Sequence, residues 1–73
     1  MNRIASERAM HRLTQLEVAE KIGVDKQTIS RWENDEPVTS TNLIKLRNFF
    51  MVDIDWLLGL SKERHAVTPS EDD

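Results

Sequence analysis

Apolar residues along this chain recur at intervals of three or four positions, which is the spacing of one face of an α-helix. Leu43, Leu46 and Phe50, for example, are three and then four residues apart. The sequence has no alternating run of β-branched residues of strand length, and it has no Asn-Gly or Asp-Gly pair that would mark a β-hairpin. The pattern therefore predicts an all-α fold.

Helix boundaries follow from capping residues and from the two glycines and two prolines. Thr14 and Glu17 have the spacing of a capping box at a helix start. Gly23 is placed to end that helix, because glycine adopts a left-handed conformation at the lowest cost. Asp25 and Asp53 are N-cap candidates for later helices. Five helices are predicted. With their caps, the first, second and fifth cover about 2–11, 14–23 and 53–58; the third runs from Asp25 to an end within 34–37, and the fourth runs from a cap among Thr39, Ser40 and Thr41 to about residue 51.

The second and third predicted helices are separated by a turn too short for long antiparallel contact. Such a turn sets two helices at a steep angle, as in a helix-turn-helix. Ala19 is small, as a position crossed by the next helix requires, and Gly23 supplies the positive φ of the turn. Ile29 and Trp32 of the following helix are three residues apart and are predicted to face the core.

Four segments carry a more specific resemblance: Leu13-Thr14-Gln15, Val18-Ala19-Glu20-Lys21-Ile22-Gly23-Val24, Thr28-Ile29-Ser30-Arg31-Trp32-Glu33-Asn34 and Asp55-Trp56-Leu57-Leu58-Gly59. They resemble the phage-repressor and Cro type (Xre-like) of helix-turn-helix over about residues 4–60. The resemblance implies a compact five-helix, lambda-repressor-like domain whose second and third helices form the motif. It also implies a homodimer on operator DNA, with the third helix in the major groove.

The resemblance assigns roles to the outward face of the third helix and to the start of the second. The residues that it implies at base edges are Lys26, Gln27, Arg31 and, with less to offer, Thr28. Lysine and arginine match guanine O6 and N7, and glutamine can pair with adenine. The residues that it implies at DNA phosphates are Thr14, Gln15, Ser30 and Asn34.

Two further sets follow from the same resemblance. Arg8 and Glu33 match a structural ion pair between the first helix and the end of the third, and a loose surface pair is the alternative. Met51, Val52 and Ile54, at the turn between the fourth and fifth helices, are the implied dimer interface. The loop 35–38 departs from the family, because it is acidic where basic residues and glycine are usual.

Length, cysteine content and charge narrow the range of possible functions. Seventy-three residues make one small domain, without the deep cleft of a usual enzyme. Cysteine is absent, which excludes disulfides, thiolate metal sites and cysteine nucleophiles. The net charge is −3, but residues 1–34 carry +1 and residues 35–73 carry −4. This asymmetry can orient the molecule on a polyanion.

The domain is predicted at residues 1–60, with 61–73 as a polar, acidic C-terminal tail or the start of a linker. His11 and His65 have no ligand-spaced partners, so neither a metal nor a cofactor is expected, and no small-molecule ligand is evident. No apolar stretch is long enough to span a membrane, and no signal peptide is visible. The cytoplasm is the expected location.

The sequence and the resemblance together predict a non-enzymatic regulator of transcription, of bacterial or phage type. It is expected to be a repressor that binds a palindromic double-stranded operator as a homodimer. A protein-interaction module on the same fold, such as an antitoxin or an anti-repressor partner, is the alternative. The acidic loop and the negative total charge favour that alternative slightly.

Overall fold

The structure is a computed structural model that describes residues 1–67. Over those residues it contains five helices: α1 (Ile4–Met10), α2 (Gln15–Ile22), α3 (Lys26–Glu33), α4 (Ser40–Phe50) and α5 (Ile54–Leu57). Within this described part the only β-structure is an isolated antiparallel bridge between Val52 and Ala66. The prediction of an all-α, five-helix fold is confirmed.

Side chains at the helix starts satisfy backbone N–H groups that have no partner inside the helix. At α2, the Glu17 N–H donates to Thr14 Oγ1 at 3.0 Å and the Thr14 N–H donates to Glu17 Oε1 at 2.8 Å, as expected for a capping box. At the starts of α3, α4 and α5, the side chains of Asp25, Thr39 and Asp53 each accept from the N–H three residues further along the chain. Gly23 ends α2 with a φ of 91°.

The first helix is shorter than predicted, because Asn2 is used to hold its start in place. The Asn2 side chain accepts from the Ile4 N–H at 3.0 Å and donates to the Trp32 carbonyl at 2.6 Å. The Asn2 backbone N–H donates to Asp35 Oδ1 at 2.9 Å. These contacts keep Asn2 outside α1, which begins at Ile4, and they tie the start of α1 to the end of α3.

The core lies between the helices and is apolar apart from Glu7. Its buried apolar side chains are Ile4, Val18, Ala19, Ile22, Ile29, Trp32, Leu46, Phe50, Val52 and Leu57. The predicted stripe on α4 is confirmed for Leu46 and Phe50, whereas Leu43 is only half-buried. The predicted burial of Ile29 and Trp32 is confirmed, so α3 has one inward face and one outward face.

The folded unit extends past the predicted boundary at residue 60. Residues 61–67 return to the turn between α4 and α5, where the Asp53 N–H donates to the His65 carbonyl at 3.1 Å and the Val67 N–H donates to the Met51 carbonyl at 2.9 Å. We call residues 61–67 the C-terminal strap. The structure therefore differs from the predicted boundary, because the strap pairs with the turn after α4 where a tail or the start of a linker was expected. Residues 68–73, including the acidic end, lie outside the described residues.

The strap also provides the partner of a buried carboxylate. Glu7 on α1 is 0% exposed. Its oxygens accept from Arg64 Nε at 2.8 Å, from Arg64 Nη2 at 3.0 Å and from Trp56 Nε1 at 2.9 Å. The Arg3 guanidinium lies 3.7 Å from the centroid of the Trp56 ring. Nothing in the local sequence marks Glu7 as a core residue, so its burial was not predicted.

Burial alone would raise the pKa of Glu7, because a carboxylate loses its hydration in the core. Hydrogen bonds from Arg64 and Trp56, with the positive charge of Arg64, outweigh this effect and hold the pKa below its ordinary value. A group with a lowered pKa stabilises the fold above its unfolded-state pKa, and that contribution is lost as the pH falls through the lowered value.

We therefore expect Glu7→Gln to destabilise the protein by about 1–3 kcal/mol at pH 7, because a charged hydrogen-bond acceptor is lost from the core. The difference from wild type should shrink once the pH falls below the ordinary glutamate pKa of about 4.3, because the unfolded chain then takes up a proton that the native carboxylate still resists. Urea unfolding at pH 7 and pH 3 measures both effects. Glu20→Gln, at an exposed position on α2, is the control and should change little. An equal loss at both pH values would contradict the electrostatic explanation.

Candidate nucleic-acid interface

The turn between α2 and α3 fixes the angle at which α3 leaves the core. The N–H groups of Gly23 and Val24 both donate to the Ala19 carbonyl, at 2.8 and 3.0 Å. The chain then enters α3 at Asp25, whose side chain accepts from the Thr28 N–H. Ala19 is 1% exposed, as expected for a small residue between packed helices. α2 and α3 pack closely against each other and form a helix-turn-helix.

The outward face of α3 presents the three residues predicted to contact base edges. Lys26, Gln27 and Arg31 are exposed. No other described residue forms a hydrogen bond or ion pair with any of their side chains, so their donors are available to a ligand. Two cations and an amide, grouped on the exposed side of a helix whose other side is buried, match the donor groups that read the major groove.

Thr28, the fourth residue predicted at base edges, differs from the other three. It is half-buried, and its hydroxyl donates to Asp25 Oδ1 at 2.7 Å. The hydroxyl proton is therefore already used within α3. Thr28 can still accept a hydrogen bond, but unlike Lys26, Gln27 and Arg31 it has no free side-chain donor for a base.

The residues predicted at phosphates flank this face. Thr14 Oγ1 accepts from the Glu17 N–H, which leaves the hydroxyl proton of Thr14 free to donate. Asn34 Nδ2 donates to the Ser30 carbonyl at 2.8 Å. The Ser30 side chain is half-buried, and it has no hydrogen-bond partner among residues 1–67. Each of these side chains keeps at least one polar atom for an external partner.

Arg8, Glu33 and Gln15 form a hydrogen-bonded network between α1, α2 and α3. Arg8 Nε donates to Glu33 Oε2 at 2.6 Å, and Arg8 Nη2 donates to Glu33 Oε1 at 3.2 Å. Gln15 Nε2 donates to the same Oε1 at 2.9 Å. The hydrogen bond to Glu33 raises the pKa of the Arg8 guanidinium above its ordinary value. The contact between Gln15 and Glu33 was not predicted from sequence.

The network joins four parts of the chain. Arg8 lies on α1, Gln15 begins α2, and Glu33 ends α3. Arg8 Nη1 also donates to the carbonyl of Leu13, in the turn before α2, at 2.9 Å. The Glu33 side chain is 8% exposed and that of Arg8 is 22% exposed, so the carboxylate is more deeply buried than the guanidinium.

The three residues predicted for a dimer interface have different environments. Met51 is 47% exposed, and it has a φ of 59° where α4 ends. Ile54 is half-buried at the start of α5. Val52 is 0% exposed, because it packs in the core and pairs with Ala66 of the C-terminal strap. The prediction of Val52 as an interface residue is therefore wrong, since it has no surface to offer.

Within residues 1–67, no group of histidine and carboxylate side chains is arranged to hold a metal ion. The described helices are all too short or too polar to cross a membrane.

Comparison with protein families gives one match, to residues 4–57, and the matching family model is described as helix-turn-helix. The match spans more than half of the chain and includes α1 to α5. No curated protein and no solved structure matches the chain.

The network around Glu33 predicts a specific pattern of stabilities. Arg8→Met or Glu33→Leu alone should cost about 2–3 kcal/mol, somewhat below a fully buried pair, because each leaves one partly desolvated charge unpaired. The double variant should lose clearly less than the sum of the two single losses. Urea unfolding of the three variants measures this. Single losses under about 1 kcal/mol would instead indicate a surface pair.

Proposed function

Since the chain belongs to the phage-repressor and Cro-type (Xre-like) helix-turn-helix family, we propose that it represses transcription by binding a palindromic operator as a homodimer. The family is one of DNA-binding transcriptional regulators, and the chain is a regulator of this kind. The proposal adds the repressor role, the symmetry of the site and the oligomeric state.

The observation that carries the proposal is the outward face of α3. Lys26, Gln27 and Arg31 are exposed and keep their donors free of other described residues. The opposite face of α3 is anchored in the core by Ile29 and Trp32, which are 0% and 5% exposed. A rigid helix with free donors on its exposed side fits a major groove, where guanine offers O6 and N7 and adenine offers N7 and its amino group.

The start of α2 supports a phosphate contact beside the groove. Gln15 donates one amide proton to Glu33, and the second amide proton remains for a phosphate oxygen. Backbone N–H groups in the first turn of α2 favour an anion at the same place. Because Arg8 neutralises Glu33, the carboxylate beneath this contact repels a phosphate less than a free one would. Gln15 would then position the protein without reading sequence.

In the acidic loop after α3, Asp35 has a structural role. Asp35 accepts a hydrogen bond from the Asn2 N–H, so its charge is placed by the packing of α1 against α3. The net charge of −3 still predicts weak non-specific attraction to DNA. A monomer with few phosphate contacts would bind weakly, and a dimer adds the contacts of a second copy.

The dimer surface that we propose is the turn between α4 and α5, represented by Met51 and Ile54. Val52 is buried within this turn, and its bridge to Ala66 joins the turn to the C-terminal strap. In a twofold dimer, the two recognition helices would meet half-sites about 34–36 Å apart, one turn of DNA. A dimer bound across a promoter would repress by excluding the polymerase.

Base reading and phosphate contact make different predictions. Arg31→Ala should cost about 1–3 kcal/mol on the preferred operator and relax the choice of base at one position per half-site. Gln27→Ala should act in the same way at another position. Gln15→Ala should weaken all sequences alike and leave their order unchanged. Binding of each variant to a library of randomised operators measures these effects.

A matched pair of lysines provides the control for charge. Lys26→Ala and Lys62→Ala remove the same charge, but Lys62 lies on the C-terminal strap and not on α3. Only Lys26→Ala should change the order of preferred sites. If Gln15→Ala reorders the sites while the variants of α3 do not, α3 is not the reading helix. If wild type shows no salt-dependent binding to any DNA, the protein-interaction alternative replaces the proposal.

The dimer can be tested at Met51 without disturbing the fold. Asparagine tolerates the left-handed conformation that Met51 adopts, so Met51→Asn should remove apolar surface at little conformational cost. We expect wild type to protect two half-sites together in a footprint. Met51→Asn should need a higher concentration and fill the half-sites independently. Met10→Gln, at a residue 57% exposed on α1, is the control. Protection of a single asymmetric half-site by saturating wild type would contradict the dimer.

A further inference from the structure

Only one of the two carboxylate oxygens of Asp25 accepts hydrogen bonds from the described part of the protein. Its Oδ1 accepts from the Thr28 N–H at 2.8 Å and from the Thr28 hydroxyl at 2.7 Å. No residue among those described donates to Oδ2, and the side chain is exposed. A carboxylate oxygen at the start of α3 is therefore free to accept a hydrogen bond from outside the protein.

The Asp25 carboxyl remains ionised at neutral pH. The Thr28 hydroxyl, and after it the Thr28 N–H, lower the pKa of Asp25, and the positive charge of Arg31 lowers it further. An ionised carboxylate can only accept hydrogen bonds. Asp25 caps the start of α3, Arg31 lies in its last turn, and both residues are exposed.

Asp25 directly precedes Lys26, the first of the residues on the proposed reading face. Resting on the proposed function, we infer that Asp25 is a specificity-determining residue that accepts a hydrogen bond from the N4 amino group of a cytosine in the major groove. It would add an acceptor to a face on which Lys26 and Arg31 supply donors.

The chemistry of the base edges selects cytosine. Guanine presents N7 and O6, and thymine presents O4, all of which are acceptors that repel a carboxylate. Adenine has an amino group, but its N7 acceptor lies beside it. Cytosine presents its amino group without a neighbouring acceptor in the groove. A carboxylate at this position therefore favours one base and disfavours the other three.

Capping alone does not call for a charge at this position. Serine and asparagine cap helices about as well as aspartate does. The carboxylate also carries a cost for DNA binding, because it repels nearby phosphates. Asp25 should therefore lower affinity for DNA in general and raise discrimination between sites. A residue that only caps the helix would not raise discrimination between sites, so this pair of effects distinguishes the two roles.

The test uses Asp25→Ser and Asp25→Asn, which preserve the cap, in binding to a library of randomised operators. Wild type should prefer cytosine at one position per half-site, in a register set by the bases that Lys26 and Arg31 select. Asp25→Ser should reduce that preference by about tenfold and bind unrelated sequences more tightly. Asp25→Asn should move the preference toward adenine, whose N6 and N7 match an amide. Thermal unfolding monitored by circular dichroism verifies that both variants fold.

Glu36→Gln is the matched control, because it removes the same charge from the exposed loop after α3. It should shift affinity for all sequences alike and leave the cytosine preference intact. If the two Asp25 variants behave as Glu36→Gln does, Asp25 is only a cap and the inference is overturned. In that case the effects of Lys26→Ala and Arg31→Ala on site preference would still support the proposed function. A wild type that binds no DNA would overturn both.

Discussion

The contact between Arg8 and Glu33 is the constraint on which the geometry of this protein most depends. One guanidinium joins α1, the turn before α2 and the end of α3, through Glu33 and the Leu13 carbonyl. Glu33 also receives the amide of Gln15 at the start of α2. Because α2 and α3 are tied to the same carboxylate, the angle between them is set by directional bonds as well as by apolar packing.

A second buried carboxylate, Glu7, ties the C-terminal strap to α1. Glu7 has no exposed surface, and a buried charge without partners would strongly destabilise the fold. Arg64 and Trp56 supply those partners, and Arg64 comes from the C-terminal strap. The strap is therefore part of the folded unit. It also pairs with the turn after α4, so the same segment neutralises the core and shapes the surface that we propose for dimerisation.

The charges exposed on α3, more than the net charge of the chain, bear on how this protein would bind DNA. The chain is acidic overall, and an acidic loop follows α3. On the outward face of α3, however, Lys26 and Arg31 are free of partners among the described residues, whereas Glu33 is neutralised by Arg8 and Asp35 is held by Asn2. In the function that we propose, this arrangement lowers general attraction to DNA, and a few directional contacts discriminate between sites. The role that we infer for Asp25 would add an acceptor to the donors of Lys26 and Arg31.

Features that depend on neighbouring residues could be predicted from the sequence alone. Helix starts at Thr14 and Asp25, the left-handed end at Gly23 and the inward positions Ile29 and Trp32 all follow from contacts within one or two turns of the chain. Arg8 and Glu33 are 25 residues apart, and they were assigned through the family resemblance.

Only the tertiary structure decided the rest. Glu7 and Arg64 are 57 residues apart, Asn2 and Asp35 are 33 apart, and Gln15 and Glu33 are 18 apart, so no local pattern could pair them. Val52 was predicted at a surface beside Met51, but its side chain is buried and its backbone pairs with Ala66 of the C-terminal strap. The physical reason is that capping and helical spacing act within a few residues, whereas burial and charge pairing depend on which distant segments the fold brings together.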